Sequence, residues 1–318
     1  MKQQKSPKEG FGINREYEMN KKNLRKKTLV AYAVSAPALI LIASIVVFPI
    51  IYTLYISLTN MNTYHWFNYE IIGLKNYQRA LTVFDSGFFS ALLTTILWTV
   101  VNIVIQLIIA FIVANLLNSP LIKHQKRLYE TILMFPWAMP GYVSILLWKT
   151  GMFNTQFGLL NNWVQKLGFE PQRWLSSDVS AFMCCTVVNL WLALPFMIMI
   201  MDGGLKSIDK CLYESATIDG AGKLKQAMVV TIPCLKPIIG PSVVITIFTT
   251  FKTFDVIYLM VLQTGAQTGA HIQTIITYAY ENAFITNNYG YSSAISIIIF
   301  IMLIAFSFVT SRRKNDDA

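Results

Sequence analysis

The chain has 318 residues, 54% of them hydrophobic and only 13% charged, with a formal net charge of +10. Apolar residues gather into long blocks instead of recurring at helical or strand spacing, which marks a membrane protein and excludes an ordinary soluble domain. The basic surplus needs no nucleic-acid partner, because nine of the 26 Lys and Arg residues lie at or before Lys27, beside the first apolar block, where membrane topology accounts for them.

A helix needs roughly 20 apolar residues to cross hydrocarbon. Six blocks approach that length: Leu29 to Leu58, Phe88 to Leu117, Leu128 to Trp148, Val179 to Met201, Pro237 to Leu262 and Tyr291 to Thr310. The first is too long for a signal-peptide core and is read as a retained span. Residues 1–28 form a basic tail, expected to be disordered near anionic lipid. Residues 29–312 form a six-helix domain and residues 313–318 a short second tail. Taken over alternate connections, twenty Lys and Arg residues fall on one side and five on the other, with Lys252 inside a span. Basic connections stay in the cytoplasm, so an all-α integral membrane protein of the cell membrane is expected, surrounded by lipid bilayer, with six transmembrane helices and both termini cytoplasmic.

Prolines interrupt these spans at Pro37, Pro49, Pro136, Pro140, Pro195 and Pro241. Each removes a helix hydrogen bond, and the freed carbonyl must find a partner in protein or in a watered cavity, which suggests a bundle around a pathway. Between spans three and four, apolar residues recur at helical spacing from Leu159 to Leu167, predicting a short helix at the outer interface. In span five, Lys252 and Asp255 are the one clear opposite-charge pair. Their i, i+3 spacing lets them meet on one helix face, as a structural pair or an outer gate element rather than a proton relay.

The connection 202–236 is the most informative stretch. It reads Leu212-Tyr213-Glu214-Ser215-Ala216-Thr217-Ile218-Asp219-Gly220-Ala221-Gly222 and runs on to Thr231-Ile232-Pro233. Residues 208–218 favour a helix that Asp219-Gly220 would stop. A polar helix held between two spans is suited to receive a push from another protein. The four cysteines are too few and too badly placed for a disulfide framework and are read as reduced. Three scattered histidines give no metal site, and no carboxylate pair or Ser/His arrangement lies within a span to serve catalysis.

The loop sequence resembles the membrane subunits of ABC importers, whose pattern is Glu-Ala-Ala, then Asp-Gly-Ala, then about ten residues to an Ile/Leu-Pro. Glu214, Ala216, Asp219, Gly220, Ala221 and Pro233 match, while Ser215 replaces an alanine and Ala227 stands where an aromatic is usual. The resemblance covers roughly residues 70–312 and is similar to the maltose/maltodextrin permease family of the MalF type. It is carried by Gly73-Leu74-Lys75-Asn76-Tyr77, Pro136-Trp137-Ala138-Met139-Pro140, Val188-Asn189-Leu190-Trp191-Leu192 with Pro195-Phe196, and Gly290-Tyr291-Ser292-Ser293-Ala294. Two further N-terminal spans and a large external domain of the best-known member have no counterpart.

This resemblance implies the ABC type I importer permease fold and a transport subunit, not an enzyme. Its partners would be a second homologous permease, a pair of ATPase subunits that bind the ATP, and an extracellular binding protein that delivers a maltodextrin-like sugar. The chain carries no G-x-x-x-x-G-K-[ST] of its own. Glu214, Ser215, Ala216, Asp219, Gly220 and Ala221 would couple to the ATPase. Trp137, Gly141, Asn189, Leu192, Ala193, Phe196, Thr246, Thr250 and Thr253 would face the sugar, aromatic faces covering the ring and polar groups bonding its hydroxyls. Spacing alone puts Asn189 and Phe196 on one helix face and Thr246, Thr250 and Thr253 on another, although threonine hydroxyls also bond back to their own helix. A secondary transporter has the same spans without the loop motif, and a permease for a non-sugar solute would keep the motif.

Overall fold

A computed structural model describes residues 28, 30–82, 86–119, 122, 125–262 and 270–316. The basic tail apart from Thr28, part of the connection 118–127, residues 263–269 and the last two residues lie outside the described residues.

The long apolar blocks form helices because a bilayer-facing backbone must satisfy its own hydrogen bonds. In chain order these are α1 (Val30–Ser57), α2 (Lys75–Leu81), α3 (Ser86–Leu117) and α4 (Lys126–Ala138), α5 (Gly141–Met152), α6 (Leu159–Lys166), α7 (Asp178–Ser207), α8 (Lys210–Ile218), α9 (Lys223–Gln226), α10 (Ile232–Phe251), α11 (Asp255–Met260), α12 (Ile275–Phe284) and α13 (Tyr289–Asp316). Among the described residues there is no strand, only a bridge between Thr59 and Ile71. Five helices are long and apolar enough to cross a membrane, and the bent pair α4–α5 makes a sixth span if taken as one.

Prolines shape these helices in two ways. Widened π-turns at Ala43–Val47 and Ala227–Thr231 stand immediately ahead of Pro49 and Pro233 and absorb the missing hydrogen bond without ending the helix. At Pro140 the helix does end. Met139 takes an extended conformation (φ −81°, ψ 143°), as a residue before proline prefers, and α4 and α5 diverge by 94°. Span three, expected over Leu128 to Trp148 with prolines interrupting it, is therefore two half-helices that break at Pro140. Span five is also divided, α10 stopping at Phe251 and α11 starting at Asp255.

The core runs between α3 and α7. Trp98 is fully buried edge-on against Phe182, ring centroids 5.6 Å apart, within a cluster containing Ile145, Val188, Ile257 and Met260. Toward one end, the small Ala110 and Ala114 of α3 let Met197, Ile198 and Met201 of α7 come close. Toward the other, Ala80, Phe88, Ile275, Tyr291 and Ile295 pack together. There two motifs far apart in sequence meet. Asn76 donates to the carbonyls of Ser57 (2.9 Å) and Thr59 (2.8 Å), and Arg79 lies 4.2 Å from the Tyr291 ring centroid. Gly290 is required beside them, since a Cβ there would sit 2.2 Å from the Thr59 carbonyl oxygen. The four cysteines are free.

Candidate functional site

The loop helix is built as its sequence suggests. Asp209 caps α8, its carboxylate accepting from the Cys211 N–H at 3.0 Å, and this backbone donor holds the Asp209 carboxyl below the usual carboxylate range. At the other end the Gly220 N–H donates to the Thr217 carbonyl (3.0 Å) and the Ala221 N–H to the Ala216 carbonyl (2.9 Å), the paired bonds of a Schellman stop. That stop needs a left-handed residue, and Gly220 has φ +73°. Glu214, Ser215, Asp219 and Gly220 are exposed, whereas Ala216 and Ala221 are partly buried, Ala216 against Ile208, Val230 and Leu235. Tyr213 bonds Thr231 (3.0 Å), and the Gln226 amide donates to Ala221 and Thr217 (2.9 Å each), so the helix is tied to α9 and α10. Apolar Leu212 (46% exposed), Ile218 (87%) and Leu224 (82%) accompany the exposed carboxylates. An uncovered Ile at the end of a polar helix was not singled out from sequence, where a single isoleucine gives no signal.

At the end of α7 that leads into this helix lies a charge cluster that sequence reasoning missed. Asp202, its side chain 3% exposed, receives Lys126 at 2.9 Å and Lys206 of the next helical turn, and the Asn118 amide donates to it at 2.8 Å. Glu130 lies 3.9 Å from Lys126 and 3.6 Å from Lys206. The cluster joins the ends of α3, α4 and α7. Only the i, i+4 pairs were visible in sequence, Lys126 with Glu130 and Asp202 with Lys206.

The proposed sugar-facing residues divide into three groups by burial, Leu192, Ala193 and Thr253 being intermediate. Asn189, Thr246 and Thr250 are buried, Trp137 (61%) and Phe196 (39%) are exposed, and Gly141 is intermediate. The Asn189 amide donates to Asn102 of α3 at 2.8 Å, and Gln106 donates to the Ala193 carbonyl beside the Pro195 kink at 2.9 Å. Leu192 packs on the core around Trp98. Asn189 and Phe196, two turns apart in the continuous helix α7, differ in environment, one bound to α3 and the other uncovered. Thr253 lies beyond the end of α10, its hydroxyl bonding the Thr249 carbonyl at 3.2 Å, so it does not continue a helical stripe from Thr246 and Thr250. The partner of Asn189 belongs to a buried polar stripe on α3, Thr95, Thr99, Asn102 and Gln106. Its i, i+4, i+7, i+11 spacing could have been found in the sequence.

Lys252 and Asp255 do not form the expected ion pair. The salt bridges among the described residues do not include one between them, and both side chains are exposed. The helix ends between them, which removes the shared face that i, i+3 spacing assumed. Asp255 instead approaches α5, its Oδ2 lying 3.8 Å from where a Cβ on Gly141 would stand. The break in span three thus lies against the break in span five.

Comparison with known proteins agrees with this architecture. Residues 106–313 match the family described as binding-protein-dependent transport system inner membrane component. The trehalose/maltose transport system permease protein MalF of Thermococcus litoralis is 29% identical over 284 residues, 89% of this chain and 93% of that protein. The sulfoquinovosyl glycerol transport system permease protein SmoG of Agrobacterium fabrum is 30% identical over 274 residues, 86% of each. In a crystal structure of a bacterial ABC transporter that imports the acidic polysaccharide alginate, one chain superposes with a TM-score of 0.75 at 18% identity, over 92% of this chain and 96% of that one.

Proposed function

Since this chain belongs to the family of binding-protein-dependent transport system inner membrane components, we propose that it forms half of the transmembrane pathway of an ABC importer for a maltodextrin-like oligosaccharide. The observation that carries the coupling half of this reading is α8. It is a capped, Schellman-stopped helix with exposed Glu214, Ser215, Asp219 and Gly220, tied to the bundle through Tyr213 and Gln226. Such a helix can transmit displacement without bending. In this reading both termini lie in the cytoplasm of a plasma-membrane protein, and α8 docks in an ATPase subunit that binds and hydrolyses the ATP. Closure of the ATPase pair rotates the bundle as a rigid body, and an external binding protein supplies the sugar.

The sugar class is supported by relatives named for trehalose/maltose, galactooligosaccharides and sulfoquinovosyl glycerol. Trp137 and Phe196 supply uncovered aromatic faces, while Gly141, Thr253 and the groups around them supply the rest of the lining. Asn189, Leu192, Ala193, Thr246 and Thr250 hold the wall of the pathway by the contacts and burial described above.

The test is affinity purification of the tagged chain in mild detergent, identification of copurifying subunits, and ATPase assay with maltotriose and binding protein. A second permease and an ATPase whose turnover rises with maltotriose are expected. A stable lone chain would count against the importer, and stimulation only by an unrelated sugar against the maltodextrin assignment.

A further inference from the structure

A charge in a membrane span that has no partner must face water or a ligand, because hydrocarbon does not solvate it. Asp255 is such a charge. Among the described residues its carboxylate makes no ion pair or hydrogen bond, and its side chain is exposed. It stands where two interrupted spans meet, at the first residue of α11 and against Gly141 at the start of α5. Irregular backbone at membrane depth is tolerated where it lines a watered cavity. Gly141 puts no side chain against the carboxylate, and even a Cβ there would come within 3.8 Å of its Oδ2. Phe254, the residue before it, stacks on Tyr258 (centroids 4.8 Å, 18° between planes) and packs against Tyr280 (4.9 Å). An ionised carboxylate accepts hydrogen bonds and donates none, which suits sugar hydroxyls and repels a carboxylated sugar, and the aromatic cluster begins at the adjoining residue in the chain.

We propose that Asp255 is a specificity-determining residue of the pathway, its carboxylate accepting hydroxyl hydrogens of a neutral sugar in transit between the two helix breaks. The assignment rests on the sugar-importer reading above. It also gives Gly141 a role, since a large side chain there would fill the space the hydroxyls need while leaving the charge intact.

The experiment uses the purified complex with its copurified subunits, trapped with ATP and vanadate, and measures retention of radiolabelled maltotriose and of its terminally oxidised, carboxylate-bearing counterpart. Asp255→Asn should weaken maltotriose retention at least about tenfold, the loss of one charge-assisted hydrogen bond, and narrow the preference for neutral over acidic sugar. Gly141→Leu should weaken retention with Asp255 still present. Unchanged retention and preference in Asp255→Asn, with wild-type retention intact, overturns this assignment alone. Loss of the partner permease from Asp255→Asn preparations also overturns it, making the carboxylate an interface group. Equal losses in Asp255→Asn and Lys252→Gln with no further loss in the double variant mark a structural charge pair instead. A wild-type complex that retains no maltotriose overturns the maltodextrin reading and this assignment with it.

Discussion

Two aspartates lie at junctions of helices in this bundle and are treated in opposite ways. Asp202 is nearly sealed, with Lys126, Lys206 and Asn118 around it and Glu130 balancing the charge, so three helix ends close over a neutral cluster. Asp255 is open and, among the described residues, unpartnered beside the glycine that begins α5. A buried carboxylate is tolerated only when each of its oxygens is answered, since desolvation costs several kcal/mol. One left unanswered must keep its solvent. The first arrangement suits a hinge-free joint at the end of α7 that leads into α8, and the second suits a surface that meets a changing partner.

The largest expected effect is at the closed end. Asp202→Ala leaves Lys126 and the half-exposed Lys206 with Glu130 alone as counter-ion and should destabilise the chain by about 3 kcal/mol, the low end of the cost of breaking a buried pair. A thermal-melt series in detergent checks it, and a melt like that of the wild type would mean that the cluster does not hold α3, α4 and α7 together. Next is Asn189→Ala, which leaves the buried Asn102 carbonyl without a donor and should cost about 1–3 kcal/mol. The double replacement Asn102→Leu with Asn189→Leu should cost less than that single change, because no polar group is orphaned.

Smaller in stability but larger in function is Gly220→Val. The left-handed backbone at φ +73° makes a β-branched residue unfavourable by about 1–2 kcal/mol. The loss should appear as sugar uptake abolished in chains that still insert in the membrane and fold, and normal uptake would remove α8 from coupling. The smallest expected change is the stability of Asp255→Asn, within about 0.5 kcal/mol of the parent. A melt depressed as far as that of Asp202→Ala would erase the contrast between the two sites. Acid offers a separate check at α8. The Asp209 carboxyl is held below its ordinary range, so its capping contribution is present above that range and is lost as pH falls through the lowered value. Circular dichroism of Asp209→Asn should therefore lack the acid-dependent fraying of the parent.

The spans, the loop helix and its stop were legible because each depends on local chemistry. Apolar length makes a helix, proline weakens it, and Asp219-Gly220 permits the left-handed turn that ends α8. The polar stripe Thr95, Thr99, Asn102 and Gln106 was equally local and could have been read from its spacing. What spacing could not give was continuity. The pairing of Lys252 with Asp255 and the stripe from Thr246 to Thr253 both assumed that the helix continues through Lys252.

By itself, then, the sequence determined the class of molecule, the number of apolar spans and the form of the α8 turn, because hydrophobic length and backbone conformational preference act within a few residues. Tertiary structure decided that Asp202 is closed and Asp255 open, that Asn189 is held by Asn102, and that the break at Pro140 faces the break at Lys252. Those outcomes depend on which groups from distant spans come within hydrogen-bonding distance, and the cost of leaving a polar group unpaired is set by the packing around it.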